Sequence, residues 1–112
     1  MTDRELLEAY ARQGTEDAFA EIVRRYAGMV NGVCRRILGD AADAQDATQA
    51  VFLVLVRRAG SLSKSAVLAG WLYRTAELTA REAKAAKARR AQREREAAEM
   101  RTLTNVEKYA AW

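Results

Sequence analysis

The sequence has no proline and no histidine, a single cysteine, and glycine only at positions 14, 28, 32, 39, 60 and 70. Each scarcity excludes something. With the strongest helix breaker missing, and glycine costing only about 1 kcal/mol relative to alanine inside a helix, long helices can form uninterrupted. Lacking histidine and a second thiol, the chain cannot assemble the usual zinc clusters, Cys–His pairs or imidazole general bases. Cys34 has no partner for an intrachain disulfide, and no basic start leads into an apolar signal-type stretch, so a cytoplasmic protein is expected. The longest wholly apolar run, residues 50–56, falls far short of the roughly 20 residues that span a bilayer. No GxxxxGK[ST] phosphate loop occurs. The carboxylates that remain cluster at helix starts or on exposed faces. Neither an enzyme nor a bound cofactor or metal is therefore expected.

What is present favours helix. Half of the 112 residues are hydrophobic and 30% are charged, with alanine, leucine, glutamate and arginine prominent, which predicts one all-α domain built as a compact bundle of about four helices. The formal net charge is only +4, but it is unevenly spread. Residues 81–93 hold Arg81, Lys84, Lys87, Arg89, Arg90 and Arg93 against Glu82 alone, whereas residues 40–50 hold Asp40, Asp43 and Asp46 and no base. Such polarity points to a polyanion at one surface and a protein partner at another.

Thr2-Asp3-Arg4-Glu5 has the form of a capping box, followed by Leu6, Leu7, Tyr10 and Ala11 on one face and a stop at Gly14. Thr15 reads as the next N-cap. The second helix carries the clearest period, with Phe19, Ile22, Val23, Tyr26, Val30, Val33, Cys34 and Ile37 forming a core stripe that ends at Gly39. Cys34 on that stripe reads as a small buried apolar residue.

Asp40 is placed to cap a third helix with two distinct faces. Ala44, Ala47, Val51, Val54 and Leu55 share one face, and Asp43, Asp46, Gln49, Leu53 and Arg57 share the other. An exposed leucine among acids and an amide reads either as a binding patch or as a solvated face with one stray apolar residue. Gly60 is expected to end this helix, with residues 61–65 as a polar loop.

The fourth helix is expected to bury Leu68, Trp71 and Leu72 and to continue its apolar face through Thr75, Leu78 and Thr79. Trp71 reads as a core anchor, with a role in base stacking as its alternative, and Tyr73 and Arg74 turn outward. Beyond Thr79 no large apolar residue occurs before Met100, so the distal half, about 20 residues or 30 Å, is expected to project or fray. The basic excess reads either as a solvated helix braced by alternating signs or as a phosphate-binding surface. No pattern is visible from Thr102 onward, where a linker is expected.

The order AF-x-EIV-x-RY, then GDAADAQDATQAVFLVL, then GWLYRTA resembles conserved region 2 of bacterial sigma-70-type RNA polymerase initiation factors of the extracytoplasmic-function (ECF) group. The resemblance runs from about residue 2 to residue 100. Its most specific part is Asp43, Asp46, Gln49 and Phe52 followed by Trp71 and Leu72. It implies a region 2 domain over residues 1–100, the start of an interdomain linker over 101–112, and no room for the second, promoter-reading region 4. It implies docking of Asp43, Asp46, Gln49, Leu53 and Arg57 on the clamp helices of the polymerase β′ subunit. It further implies that Ser63, Lys64, Tyr73 and Arg74 help melt promoter DNA and capture a flipped non-template base. Arg81, Lys84, Lys87, Arg89 and Arg90 would contact the minus-ten element. An anti-sigma factor is a further candidate partner; no membrane is involved. The sequence departs from the family's WLxxIAxN at Thr75 and Leu78, so the role of that asparagine does not carry over. The rival reading is a helical interaction module whose basic helix binds an acidic protein.

Overall fold

Thr2 begins the fold by closing the expected capping box: its hydroxyl accepts from the Glu5 N–H at 3.2 Å, and its own N–H donates to Glu5 Oε1 at 3.2 Å. The computed structural model describes residues 1–65 and 67–110, the side chains of residues 63–65 excepted. Four helices account for almost all of it: α1 (Asp3–Gln13), α2 (Glu16–Leu38), α3 (Ala41–Ser65) and α4 (Leu68–Ala110). The class is all-α, a small bundle with one very long fourth helix.

The stops between the first three helices follow the sequence closely. Gly14 and Gly39 both adopt positive φ, 63° and 78°, and each donates its N–H back to a carbonyl four residues earlier. A side chain with a Cβ is strained there. Asp40 caps α3 as anticipated, accepting the Asp43 N–H at 2.9 Å. Thr15 does not cap α2 with its hydroxyl; only its carbonyl serves, receiving Ala18 and Phe19. Gly60 does not end α3, which continues to Ser65, so the expected loop at 61–65 is helical. Ala59 and Leu62 are buried on either side of Gly60, and their packing outweighs the modest helix cost of one glycine.

The core forms where α4 lies against α2 and α3, while α1 packs on α2 and α3. Ile22, Val30, Val51, Leu55 and Leu72 are fully enclosed, as expected, together with Leu6, Leu7, Val33, Cys34 and Leu68. Phe19, Val23, Tyr26, Ile37 and Trp71, also expected in the core, are half-buried and pack against its edge. Rings at Tyr10, Phe19 and Phe52 tie α1, α2 and α3 together, with centroids 4.9 and 6.5 Å apart. A second tie is polar: Asp3 accepts from Tyr26 Oη and from Arg25 at 3.1 Å, and Arg25 also reaches the Met1 carbonyl at 2.6 Å.

Leu78 corrects the expected apolar face of α4. The buried line steps by four through Leu68, Leu72, Ala76 and Ala80, and Leu78 lies off it, 68% exposed. Alanines make that seam, which brings the α4 backbone close to its neighbours. From Gln92 to Ala110 every residue is exposed, yet the helix is continuous, so the distal part projects as a rod and the expected linker stretch is helical through Ala110. The molecule consequently measures 76 Å along its longest axis and about 25 Å across.

Candidate functional site

On α3, residues 46, 49, 53 and 57 recur at spacings of three and four, which places them in one strip along the helix. Asp46, Gln49, Leu53 and Arg57 are all exposed, Leu53 at 63%. The strip is convex and solvent-facing because the opposite side of α3, Ala44, Ala47, Val51 and Leu55, is buried. Asp43, at its N-terminal end, is different. Its carboxylate is half-covered and receives the Lys87 ammonium from α4 at 2.6 Å.

Beside Leu53 the strip opens into an apolar groove between α2 and α3, of about 480 Å³, floored by Phe19, Val23, Phe52 and Val56 and edged by Gln45 and Gln49. Sequence reasoning missed Val56, which is 42% exposed next to Leu53. Two consecutive-turn apolar residues on the outward side of α3 were the available signal.

The basic residues of α4 do not form one surface. At 100° per residue, Arg74 and Arg81 fall opposite the seam of Leu72 and Ala76 while Tyr73 and Lys84 fall on its flank, and all four are exposed. Arg81 lies within 3.6 Å of Glu77, a long and solvent-exposed pairing. Lys87 and Arg90 turn the other way, into a cleft of about 250 Å³ whose opposite wall carries Asp43 and Asp46. Arg89 pairs with Glu82 at 3.2 Å. Ser63 and Lys64 lie outside the residues whose side chains are described.

The electrostatics follow from these contacts. Hydrogen bonding to Asp43 raises the Lys87 pKa and holds the ammonium charged. The Asp43 N–H lowers the pKa of Asp40 at the start of α3, with the nearby Lys87 charge adding to it. Burial pushes the Cys34 thiol up, which suits an inert core residue rather than a nucleophile or redox group. Among the described residues no cluster of acids and thiols is arranged to hold a metal ion, and no helix is long and apolar enough to cross a membrane. Two exposed surfaces are available for binding: a mixed polar and apolar strip on α3, and a cationic strip on α4.

Comparison with known proteins bears on what is bound. The family model described as Sigma-70 region 2 matches residues 22–92. Among curated proteins, the chain is 34% identical over 88 residues to the RNA polymerase sigma-H factor of Pseudomonas aeruginosa, covering 79% of this chain and 45% of that protein. It is 35% identical over 72 residues to the RNA polymerase sigma factor CarQ of Myxococcus xanthus, covering 64% and 41%. It is 34% identical over 65 residues to the ECF RNA polymerase sigma factor SigW of Bacillus subtilis, covering 58% and 35%. The chain thus spans less than half the length of these relatives. No solved structure gives a significant match.

Proposed function

The chain belongs to the sigma-70 region 2 family, and on that premise we propose that it is a promoter-recognition module of transcription initiation, working by binding and not by catalysis. The α3 strip of Asp46, Gln49, Leu53 and Arg57 docks on the β′ clamp helices of RNA polymerase, with Asp43 at its edge. The outward side of α4, with Tyr73, Arg74, Arg81 and Lys84, takes the minus-ten DNA together with Ser63 and Lys64. Residues 1–100 act as the region 2 domain and the projecting end of α4 leads away from it.

One observation carries this reading: the polar and apolar strip of α3 and the basic strip of α4 lie on separate exposed surfaces of adjacent helices, so protein and DNA can be held at once. Opening a duplex costs stacking and pairing energy. The module offsets that cost by neutralising phosphates and sheltering an extruded base, so binding energy is converted into strand separation. Cations on a firmly packed helix also fix the register of the strand relative to the docked polymerase.

The DNA half is tested by replacing Arg74, Arg81 and Lys84 together with alanine and measuring binding of single-stranded minus-ten oligonucleotides over a range of salt. Affinity should drop and the slope of log affinity against log salt should flatten by about 2, at roughly 0.7 for each phosphate no longer neutralised. An unchanged slope would return the basic strip to plain solvation. An acidic protein that competes with DNA for the same three residues would favour the interaction-module reading instead.

A further inference from the structure

The outward side of α4 continues from the bundle onto the projecting rod without a break. At 100° per residue, Arg74, Leu78 and Arg81 share one strip with Glu99, Leu103 and Glu107 farther along, and all six are exposed. Charge divides that strip. Its bundle end carries cations around Leu78, and its distal end carries acids around Leu103. Arg74, Glu99 and Glu107 are in no ion pair among the described residues, and Arg81 meets only Glu77 at a long 3.6 Å. The two halves complement each other, yet a continuous helix holds residues 74 and 107 about 50 Å apart at 1.5 Å per residue.

We propose that a second copy of this chain supplies what each half lacks: two α4 helices pair antiparallel, the distal half of each covering the bundle half of the other. One register satisfies the whole strip. Positions 74 and 107, 78 and 103, and 81 and 100 are each symmetric about the midpoint between residues 90 and 91. An antiparallel pair therefore sets Arg74 against Glu107 of the second copy, Leu78 against its Leu103, and Arg81 beside its Met100 and Glu99. Two-fold symmetry makes every contact twice. A parallel pair would set Arg74 on Arg74 and Glu107 on Glu107, where like charges repel. Ala85 and Ala88, exposed near the crossing, let the helices approach closely, and the bundle lies on the opposite side of α4, clear of the contact. The acids of the second copy stand where phosphates would sit on Arg74 and Arg81. On the proposed function, pairing thus masks the DNA strip of α4 and leaves the α3 strip open, but the pairing itself needs no DNA.

The mass of the chain in solution tests this. By sedimentation equilibrium at low salt and tens of micromolar, the 12.5 kDa chain should approach twice its mass and fall back as salt rises. Arg74→Glu and Glu107→Arg, each with unchanged circular dichroism, should each raise the dimer dissociation constant about tenfold, since one reversal turns two attractions into two repulsions. An equimolar mixture of the two variants should regain the dimer, because the acid of one then meets the base of the other at both contacts. A monomer at every concentration overturns the proposal. So does a dimer that ignores both reversals, or one that mixing fails to restore, since either result places the contact on another face such as the α2/α3 groove. A single-stranded oligonucleotide reads the masking separately: the wild-type dimer should dissociate as the strand binds. Binding that leaves the dimer intact overturns the masking. If the strand binds neither form, the DNA reading of α4 fails while the pairing, read by mass and by mixing, stands.

Discussion

Lys87 of α4 places its ammonium 2.6 Å from the Asp43 carboxylate of α3, joining residues for which the family resemblance implies different partners. The family resemblance implies a polymerase-facing role for Asp43 and a DNA-facing role for Lys87. In the free protein each satisfies the other, so neither presents a full charge to an outside ligand.

It follows that Lys87→Ala should weaken single-stranded DNA binding less than Arg81→Ala or Lys84→Ala does, because Lys87 already has an anionic partner and faces the α3 cleft. Comparing the salt slopes of the three variants is the check. Equal losses at all three positions would show that the ion pair opens freely when DNA arrives.

Acid should destabilise the fold in a narrow range. The Thr2 N–H and hydroxyl lower the pKa of Glu5, and the Asp43 N–H lowers that of Asp40. A depressed carboxyl stabilises the folded state above its ordinary value, near 4, and that contribution disappears as pH falls through the depressed value. The melting temperature should therefore hold between pH 7 and about 5 and fall below about 4. Thr2→Ala should lower stability by about 1 kcal/mol at neutral pH and return Glu5 toward its ordinary value, followed by NMR titration. At the alkaline end, the hydrogen bond to Asp3 raises the Tyr26 pKa, so its contribution is complete below about 10 and is lost as pH climbs through the raised value.

Leu72 and Leu78 are six positions apart on α4 and should respond oppositely to truncation. Leu72 is fully buried, so Leu72→Ala leaves a cavity and should cost about 2–5 kcal/mol in urea unfolding. Leu78→Ala removes only exposed surface and should stay within about 0.5 kcal/mol. A comparable cost at both positions would contradict the alanine-lined seam of α4.

That contrast also marks the limits of sequence reasoning. On α2 the large apolar residues Ile22, Val30 and Val33 occupy one face and nothing competes with them, so the period alone finds the core. On α4 the buried line passes through Ala76 and Ala80, residues equally at home in solvent, and the larger Leu78 draws attention to the wrong side. Gly60 misleads for a related reason: a glycine resembles a stop until the burial of Ala59 and Leu62 around it is known. Gly14 and Gly39 are legible because positive φ demands glycine there. The exposed strip of Asp46, Gln49, Leu53 and Arg57 could be read from helical spacing, since it is local to α3. The division of the basic residues into an outward group and an inward pair could not, because it depends on Lys87 meeting a carboxylate 44 positions earlier.

The most direct measurement is a titration of the purified β′ clamp helices against the 112-residue chain, wild type and Asp46→Arg, by calorimetry or anisotropy. Asp46 is exposed near the N-terminal end of the α3 strip and contributes nothing to the core, so reversing its charge should leave the helical fold intact by circular dichroism. Binding by the wild type, abolished in Asp46→Arg, is the predicted result. Equal binding by both proteins, or none by the wild type at high micromolar concentration, would contradict the assignment of α3 as the polymerase-docking helix.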